Sequence, residues 1–217
     1  MEQLVATSLG NARLTVDVAE NPHAVLWLGH GAGGGIGGAD LTAIARDLPA
    51  RGVTVIRHEQ PWRLAGKRVA ARPPVLDVGW LESLPAVRDL AAGLPIVAGG
   101  RSAGARVACR TAAQVGAAGV VCLGFPLRPP GSPERSRLAE LLTPEVPVLV
   151  LQGERDTFGT ARQVADEAAG SPRVRVVVVP GADHSMKVLA RSPLPPRQVL
   201  AGITAEIAAF VAEVTAS

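Results

Sequence analysis

Three residues combine type and position for nucleophilic catalysis: Ser102, Asp156 and His184. A serine hydroxyl is a weak nucleophile until a base takes its proton and an acid holds that base in place. Ser102 stands in Gly100-Arg101-Ser102-Ala103-Gly104, a G-x-S-x-G pattern. With 24 glycines in 217 residues the pattern alone is weak, and its surroundings decide its value. It follows the apolar run Pro95-Ile96-Val97-Ala98 and precedes a stretch of small apolar residues from Ser102 to Gln114. Strand, sharp turn and helix in that order push a serine hydroxyl out above a sheet. The helix N-terminus behind it favours developing negative charge.

After Ser102 the chain holds one histidine, His184, in Gly181-Ala182-Asp183-His184-Ser185. The acid expected to orient it is Asp156, in the loop that leaves Val148-Leu149-Val150-Leu151. Glu154 and Asp183 compete for that place. Glu154 would substitute a longer acid at a different spacing, and side chains adjacent in sequence, as Asp183 and His184 are, seldom face each other. Asp156 is therefore preferred.

A second cluster, from Gly31 to Gly38, has six glycines in eight residues directly after Ala24-Val25-Leu26-Trp27-Leu28. A phosphate-binding loop would continue with Lys-Ser/Thr, whereas Ala39-Asp40 follows here. Gly29-x-Gly31-x-x-Gly34 fits a dinucleotide fingerprint only loosely. A nucleotide-binding reading therefore ranks last. The loop is better suited to present backbone N–H groups to an oxyanion, from Ala32 or Gly33, together with the Ala103 amide after the nucleophile. His30 reads as a brace for that loop, and Arg101 as the partner of a structural carboxylate rather than a substrate ligand. Trp62, Phe125, Phe158 and Met186 flank the strand-end loops and are candidate pocket-lining residues, with core burial the alternative for each. His58 follows a strand and carries no expected role.

The elements that must position these residues are legible as short β-branched runs separated by helical stretches. Besides the runs above, Val53–Ile56, Gly119–Leu123 and Val174–Val179 read as strands, most of them apolar throughout and so buried on both faces. Arg13–Val18 alternates and is expected as an antiparallel edge strand. Leu41, Ile44, Ala45 and Leu48 have helical spacing behind a capping Asp40. Trp80–Ala92 is a helix that Pro85 must start or kink, and Val199, Ile203, Ile207, Phe210 and Val214 form one face of a closing helix. Alternating strands and helices predict a three-layer α/β/α sandwich around a mostly parallel, doubly wound sheet, with residues 1–217 as one domain. Pro-rich residues 128–133 are a loop inside it.

Composition narrows the function class. The chain is 47% hydrophobic and 19% charged, which is ordinary globular composition. A net charge of +3 from scattered arginines, with 3% aromatics, gives nucleic-acid binding little support. No uniformly apolar run of 18 residues and no basic leader followed by an apolar run is present, so neither a membrane span nor a signal peptide is expected. Cys109 and Cys122 lie in apolar stretches and read as reduced core residues of a cytoplasmic protein. No His/Cys/Asp group has metal-ligand spacing, so no metal or cofactor is implied.

Five motifs occur in order: His30-Gly31-Ala32-Gly33-Gly34, Gly100-Arg101-Ser102-Ala103-Gly104, Phe125-Pro126-Leu127-Arg128-Pro129-Pro130-Gly131, Gln152-Gly153-Glu154-Arg155-Asp156-Thr157-Phe158-Gly159 and Asp183-His184-Ser185. Together they resemble the α/β-hydrolase superfamily over nearly the whole chain, whose order of nucleophile, acid and histidine matches Ser102, Asp156, His184. More narrowly, the sequence is similar to a small hydrolase-like family related to dienelactone hydrolases and to the hydrolase-like domain of a chromatin acetyltransferase (NSL) complex subunit. The resemblance implies a lidless serine hydrolase for a small ester or thioester. Dienelactone hydrolases carry Cys where Ser102 stands, which argues against dienelactone itself. Some relatives act as scaffolds, so a catalytically silent protein-binding module is the alternative. In this fold lids follow the strand at Gly119–Leu123, and the interval from Gly124 to Pro147 is too short to build one.

Overall fold

A computed structural model of the chain describes residues 1–132 and 134–216; Pro133, in the Pro-rich segment, lies outside them. Eight strands form one sheet: β1 (Glu2–Thr7), β2 (Gly10–Asp17), β3 (Ala24–Gly29), β4 (Val53–Glu59), β5 (Ile96–Arg101), β6 (Gly119–Leu123), β7 (Val148–Gly153) and β8 (Val174–Val179). Their order across the sheet is β1-β2-β4-β3-β5-β6-β7-β8, with β1–β2 and β2–β4 antiparallel and all other pairs parallel. Every residue of β3, β6 and β7 is buried, which is why these strands read as unbroken apolar runs.

Helices cover both faces. On one side α1 (Ala39–Asp47) and α8 (Pro196–Thr215) bury Leu41, Ile44, Ile203, Ile207 and Phe210 against Leu26, Leu28, Val121 and Leu149. On the other, α3 (Pro73–Leu81), α4 (Leu84–Ala91), α5 (Ala103–Val115) and α7 (Ala161–Ala168) meet Val25, Trp27, Ala98 and Val120. Short helices α2 (Pro61–Leu64) and α6 (Leu138–Leu141) lie in connections. Trp27 of the sheet stacks on Trp80 of α3 with centroids 3.5 Å apart, both fully buried. A fully buried large side chain of this kind contributes about 1.5–3 kcal/mol. α8 is long and apolar enough to cross a membrane by length and composition; in the fold its Val199, Ile203, Ile207, Phe210 and Val211 are buried. Cys109 and Cys122 are free thiols, both buried, with sulfurs 3.5 Å apart.

Three local expectations change. The edge strand is β1, not the segment around Arg13–Val18, which becomes the second strand. β1 alternates only between exposed and half-buried residues, so its apolar signal is faint. Trp80–Ala92 divides into α3 and α4 at Glu82-Ser83, with Pro85 starting α4. Finally, Gly38 rather than Asp40 caps α1, and the Asp40 carboxylate turns inward to Arg101, 3.2 Å away.

The sheet reverses its winding at β3. From β3 the chain crosses to β4 on one side and then returns to β5 on the other, so the loops after β3 and β5 open a crevice at the carboxyl edge. The approach across it is unusually close. Gly29 on β3 is in register with Gly100 on β5, and α5 begins directly against both. A Cβ on Gly104 would lie 2.4 Å from the Gly29 carbonyl oxygen, and one on Gly100 would lie 2.6 Å from the same oxygen. Gly104→Ala is therefore expected to cost about 3 kcal/mol or more through overpacking of backbone on backbone. Gly202→Ala, in open space on α8, should instead stabilise by roughly 0.5–1 kcal/mol. Urea denaturation of both variants measures this, and a Gly104→Ala cost below about 1 kcal/mol would rule out the close approach.

Candidate active site

Ser102 sits between β5 and α5 with φ +52° and ψ −108°, a positive-φ conformation that costs a non-glycine residue about 1–3 kcal/mol. Its N–H donates to the Leu123 carbonyl of β6 (2.9 Å), which fixes the turn from the neighbouring strand. The hydroxyl meets His184 Nε2 at 2.9 Å, and His184 Nδ1 meets Asp156 Oδ2 at 2.8 Å. With Nδ1–H donating to the carboxylate, Nε2 is left as the acceptor for the serine proton. The structure thus brings the three residues together from loops after β5, β7 and β8.

Asp156 is almost fully buried, and its partners account for that. Its Oδ1 accepts the Phe158 N–H (2.8 Å) and its Oδ2 accepts Gln152 Nε2 (2.9 Å) as well as His184. Gln152, at the end of β7, also donates to the Phe125 and Gly159 carbonyls and accepts the Phe125 N–H. Sequence reasoning passed over Gln152, although a polar residue closing an apolar run signals a buried group with fixed partners. The two competing acids are occupied elsewhere. Glu154 accepts the Gly181 N–H (2.7 Å), and Asp183 accepts the N–H groups of Ser185 and Lys187 (2.8 and 3.0 Å), shaping the loop that carries His184.

The glycine loop borders the same space. His30 donates from Nδ1 to the Gly31 carbonyl (2.8 Å) and accepts the Gln60 N–H at Nε2 (3.1 Å), so its ring ties the loop to β4's end. Burial pushes its pKa below the ordinary histidine value, which keeps it neutral in this role. His58 is buried beside Trp27 and Trp80, its pKa driven by burial to about 3, and its Nε2 reaches Ser83 Oγ at 3.1 Å, away from the cleft. Arg101 lies along the loop's floor, its guanidinium passing near both Gly31 and Gly38 while pairing with Asp40. Burial raises the Asp40 pKa and the Arg101 charge opposes that rise. Ala32 and Ala103 both line the cleft, and among the described residues neither amide has a backbone partner.

The cleft itself is open, with a volume of about 730 Å³, and Ser102, His184, Ala32, Ala103, Phe158 and Pro126 are among its walls. Phe158 stacks on the His184 ring with centroids 4.2 Å apart. The other three expected lining residues lie elsewhere. Phe125 is fully buried in the core, Met186 is packed under the His184 loop near Gly124, and Trp62 faces a small void of about 10 Å³ that adjoins the cleft through Gly31, Ala32 and Ala103. Among the described residues no three His, Cys, Asp or Glu side chains come together as a metal site.

Residues 22–212 match the family described as alpha/beta hydrolase domain. The chain belongs to that family. Several solved structures of this hydrolase fold superpose on nearly all of it. An alpha-beta serine hydrolase homologue from Coxiella burnetii is 16% identical, with a TM-score of 0.74 over 98% of this chain and 96% of its own. A serine hydrolase without a lid from Xanthomonas campestris is 18% identical, with a TM-score of 0.71 over 99% and 92%. Est1E from Butyrivibrio proteoclasticus is 16% identical, with a TM-score of 0.72 over 100% and 99%. No curated protein matches the sequence. At these identities the likeness establishes the alpha/beta hydrolase fold, and the chemistry must be argued from this chain's own residues.

The hydrogen bonding around the histidine makes one distinction measurable. Asp156→Asn would present an amide to Nδ1 and favour the wrong imidazole tautomer, a loss of roughly 10⁴-fold in turnover. Glu154→Gln and Asp183→Asn keep hydrogen-bonding side chains in their loops and should cost far less. Steady-state rates on one activated ester compare the three, and a larger loss from either of the latter two would reassign the acid.

Proposed function

We propose that the chain is a serine hydrolase that cleaves a small ester or thioester through an acyl-enzyme. The observation that carries this reading is the unbroken line from Ser102 Oγ to His184 Nε2 (2.9 Å) and from His184 Nδ1 to Asp156 (2.8 Å). Ser102 Oγ attacks the carbonyl carbon as its proton passes to Nε2. The oxygen that becomes negative lies toward the Ala32 and Ala103 amides, at the N-terminus of α5. The imidazolium, held by Asp156, returns the proton to the departing alcohol or thiol. Water then attacks the acyl-enzyme with His184 again as base, releasing the acid and restoring the serine. The strained backbone of Ser102 favours this reading over a silent scaffold, because protein binding has no use for a serine held at φ +52°.

The narrower kinship with dienelactone hydrolases and the NSL-complex hydrolase-like subunit is part of the proposal and rests on the five sequence motifs. So is a cytoplasmic location, supported by two buried cysteines that remain thiols. Ser102→Ala should lower hydrolysis of p-nitrophenyl butyrate by about 10⁶-fold while leaving the unfolding midpoint nearly unchanged. Equal activity in the variant would overturn the assignment of the nucleophile.

Chain-length preference is a second consequence. Between β6 and β7 the described residues form only the short helix α6, and the cleft stands open beside it. An enclosed acyl tunnel would gain about 0.8 kcal/mol per added CH₂, whereas an open wall gains little. A p-nitrophenyl ester series from acetate to palmitate should therefore peak in kcat/KM at about C2 to C4. A maximum at C8 or longer would show a buried acyl pocket.

A further inference from the structure

The walls of the cleft carry four cationic side chains, Arg101, Arg106, Arg137 and Lys187, against one carboxylate, Asp40. Two of the four are neutralised within the protein. Asp40 faces Arg101 at 3.2 Å, and Glu140 grips Arg106 through Nε and Nη2 at 2.9 and 2.6 Å. Glu140 has no capacity to spare, since Arg110 also takes it at 2.6 Å while holding Asp77. Arg137 and Lys187 are left over. Among the described residues neither has a carboxylate within ion-pair distance; Arg137 Nη1 donates only to the Pro126 carbonyl, at 2.9 Å.

Arg137 is anchored at its guanidinium, whereas Lys187 is held at its backbone and reaches from there with an exposed side chain. Arg137 is half-buried, with its own N–H bonded to the Leu127 carbonyl and its side chain to Pro126, so two hydrogen bonds hold it on the loop after β6. Lys187 is exposed at its tip, but its backbone is locked to Asp183 by hydrogen bonds in both directions, in the loop that carries His184. Burial and the neighbouring Arg106 charge disfavour the Arg137 cation more than the charge of Glu140 favours it, so its pKa is lowered. An anion arriving at this wall would relieve that cost. A guanidinium held in a fixed plane suits the two oxygens of a carboxylate or phosphate, and a lysine adds a point charge.

We propose that Arg137 and Lys187 form an anion-binding subsite beside Ser102 and His184, so that the substrate is an ester bearing a carboxylate or phosphate group. This rests on the hydrolase reading above for its catalytic half and on the cleft's charge for its binding half. The apolar faces of Pro126 and Phe158 lie in the same cleft and suit the short carbon chain linking the anion to the ester.

The decisive comparison uses two esters of equal length, p-nitrophenyl hydrogen succinate and p-nitrophenyl butyrate, which differ in a terminal carboxylate against a methyl. The parent should prefer the succinate by about tenfold or more in kcat/KM at low salt, and the preference should shrink as ionic strength rises. Arg137→Gln and Lys187→Gln should each reduce the preference, and the double variant should bring it near one. Arg137→Lys should retain part of it, and Arg162→Gln, which removes an exposed charge paired with Asp166 on α7, should leave it unchanged. Calorimetric titration with succinate and with inorganic phosphate asks which anion binds, independently of turnover, and the double variant should lose that binding.

Failure of the two readings looks different. If the parent cleaves butyrate but shows no preference for the succinate ester, or a preference the double variant keeps, the anion subsite is wrong and the hydrolase stands. If no ester is cleaved while succinate or phosphate binds the parent and not the double variant, the hydrolase reading falls and the subsite stands. If no ester is cleaved and neither anion binds the parent, both fall.

Discussion

The contact on which the rest of the site depends is backbone against backbone, where Gly29 of β3 meets Gly100 and Gly104 around the turn between β5 and α5. No side chain fits there: the added carbons would sit 2.4 and 2.6 Å from the Gly29 oxygen. Because helix and strands can approach this closely, the intervening turn is tight enough to force Ser102 to positive φ and lift its hydroxyl above the sheet. The same approach sets the glycine loop, which leaves β3 at Gly29, alongside the start of α5. Nucleophile and prospective oxyanion donors are thus placed by one packing event, and the strain it stores is offset by the buried sheet and helices beneath.

The histidine and its acid are positioned by a separate device, a polar network at the ends of β7 and β8. Gln152 joins the Phe125 and Gly159 backbones to Asp156, and Asp156 in turn holds His184. Asp183 and Glu154 shape the neighbouring loops by accepting backbone N–H groups. In a poorly solvated setting such a network is rigid only when every member is satisfied. Its members are, and the imidazole is consequently held in one tautomer with its free nitrogen on the serine.

Much of this was legible in the amino-acid order. The buried strands announced themselves as continuous apolar runs, and Ser102, Asp156 and His184 each followed one of them, so the sheet edge that gathers them could be inferred. What was hidden depended on which way a side chain turns. Asp40 stands where a helix cap is expected, yet its carboxylate points inward to Arg101, and nothing local distinguishes the two. Phe125, Trp62 and Met186 are adjacent to site loops in sequence but turn into the core, whereas Phe158 turns onto His184. β1 escaped notice because it never buries a full apolar face, and the charge of the cleft wall became visible only once Glu140 and Asp40 were seen to be occupied.

The fold described above should make one serine hydroxyl, that of Ser102, abnormally nucleophilic. Reaction with a fluorophosphonate followed by tryptic peptide mapping tests this most directly, because the fragment Ser102–Arg106, released after Arg101, contains a single serine. One adduct per chain is expected, confined to that fragment, formed by the folded protein, lost on prior unfolding in urea and greatly slowed in His184→Ala. No adduct on the folded protein, or an adduct on a different residue with Ser102–Arg106 unmodified, would contradict it.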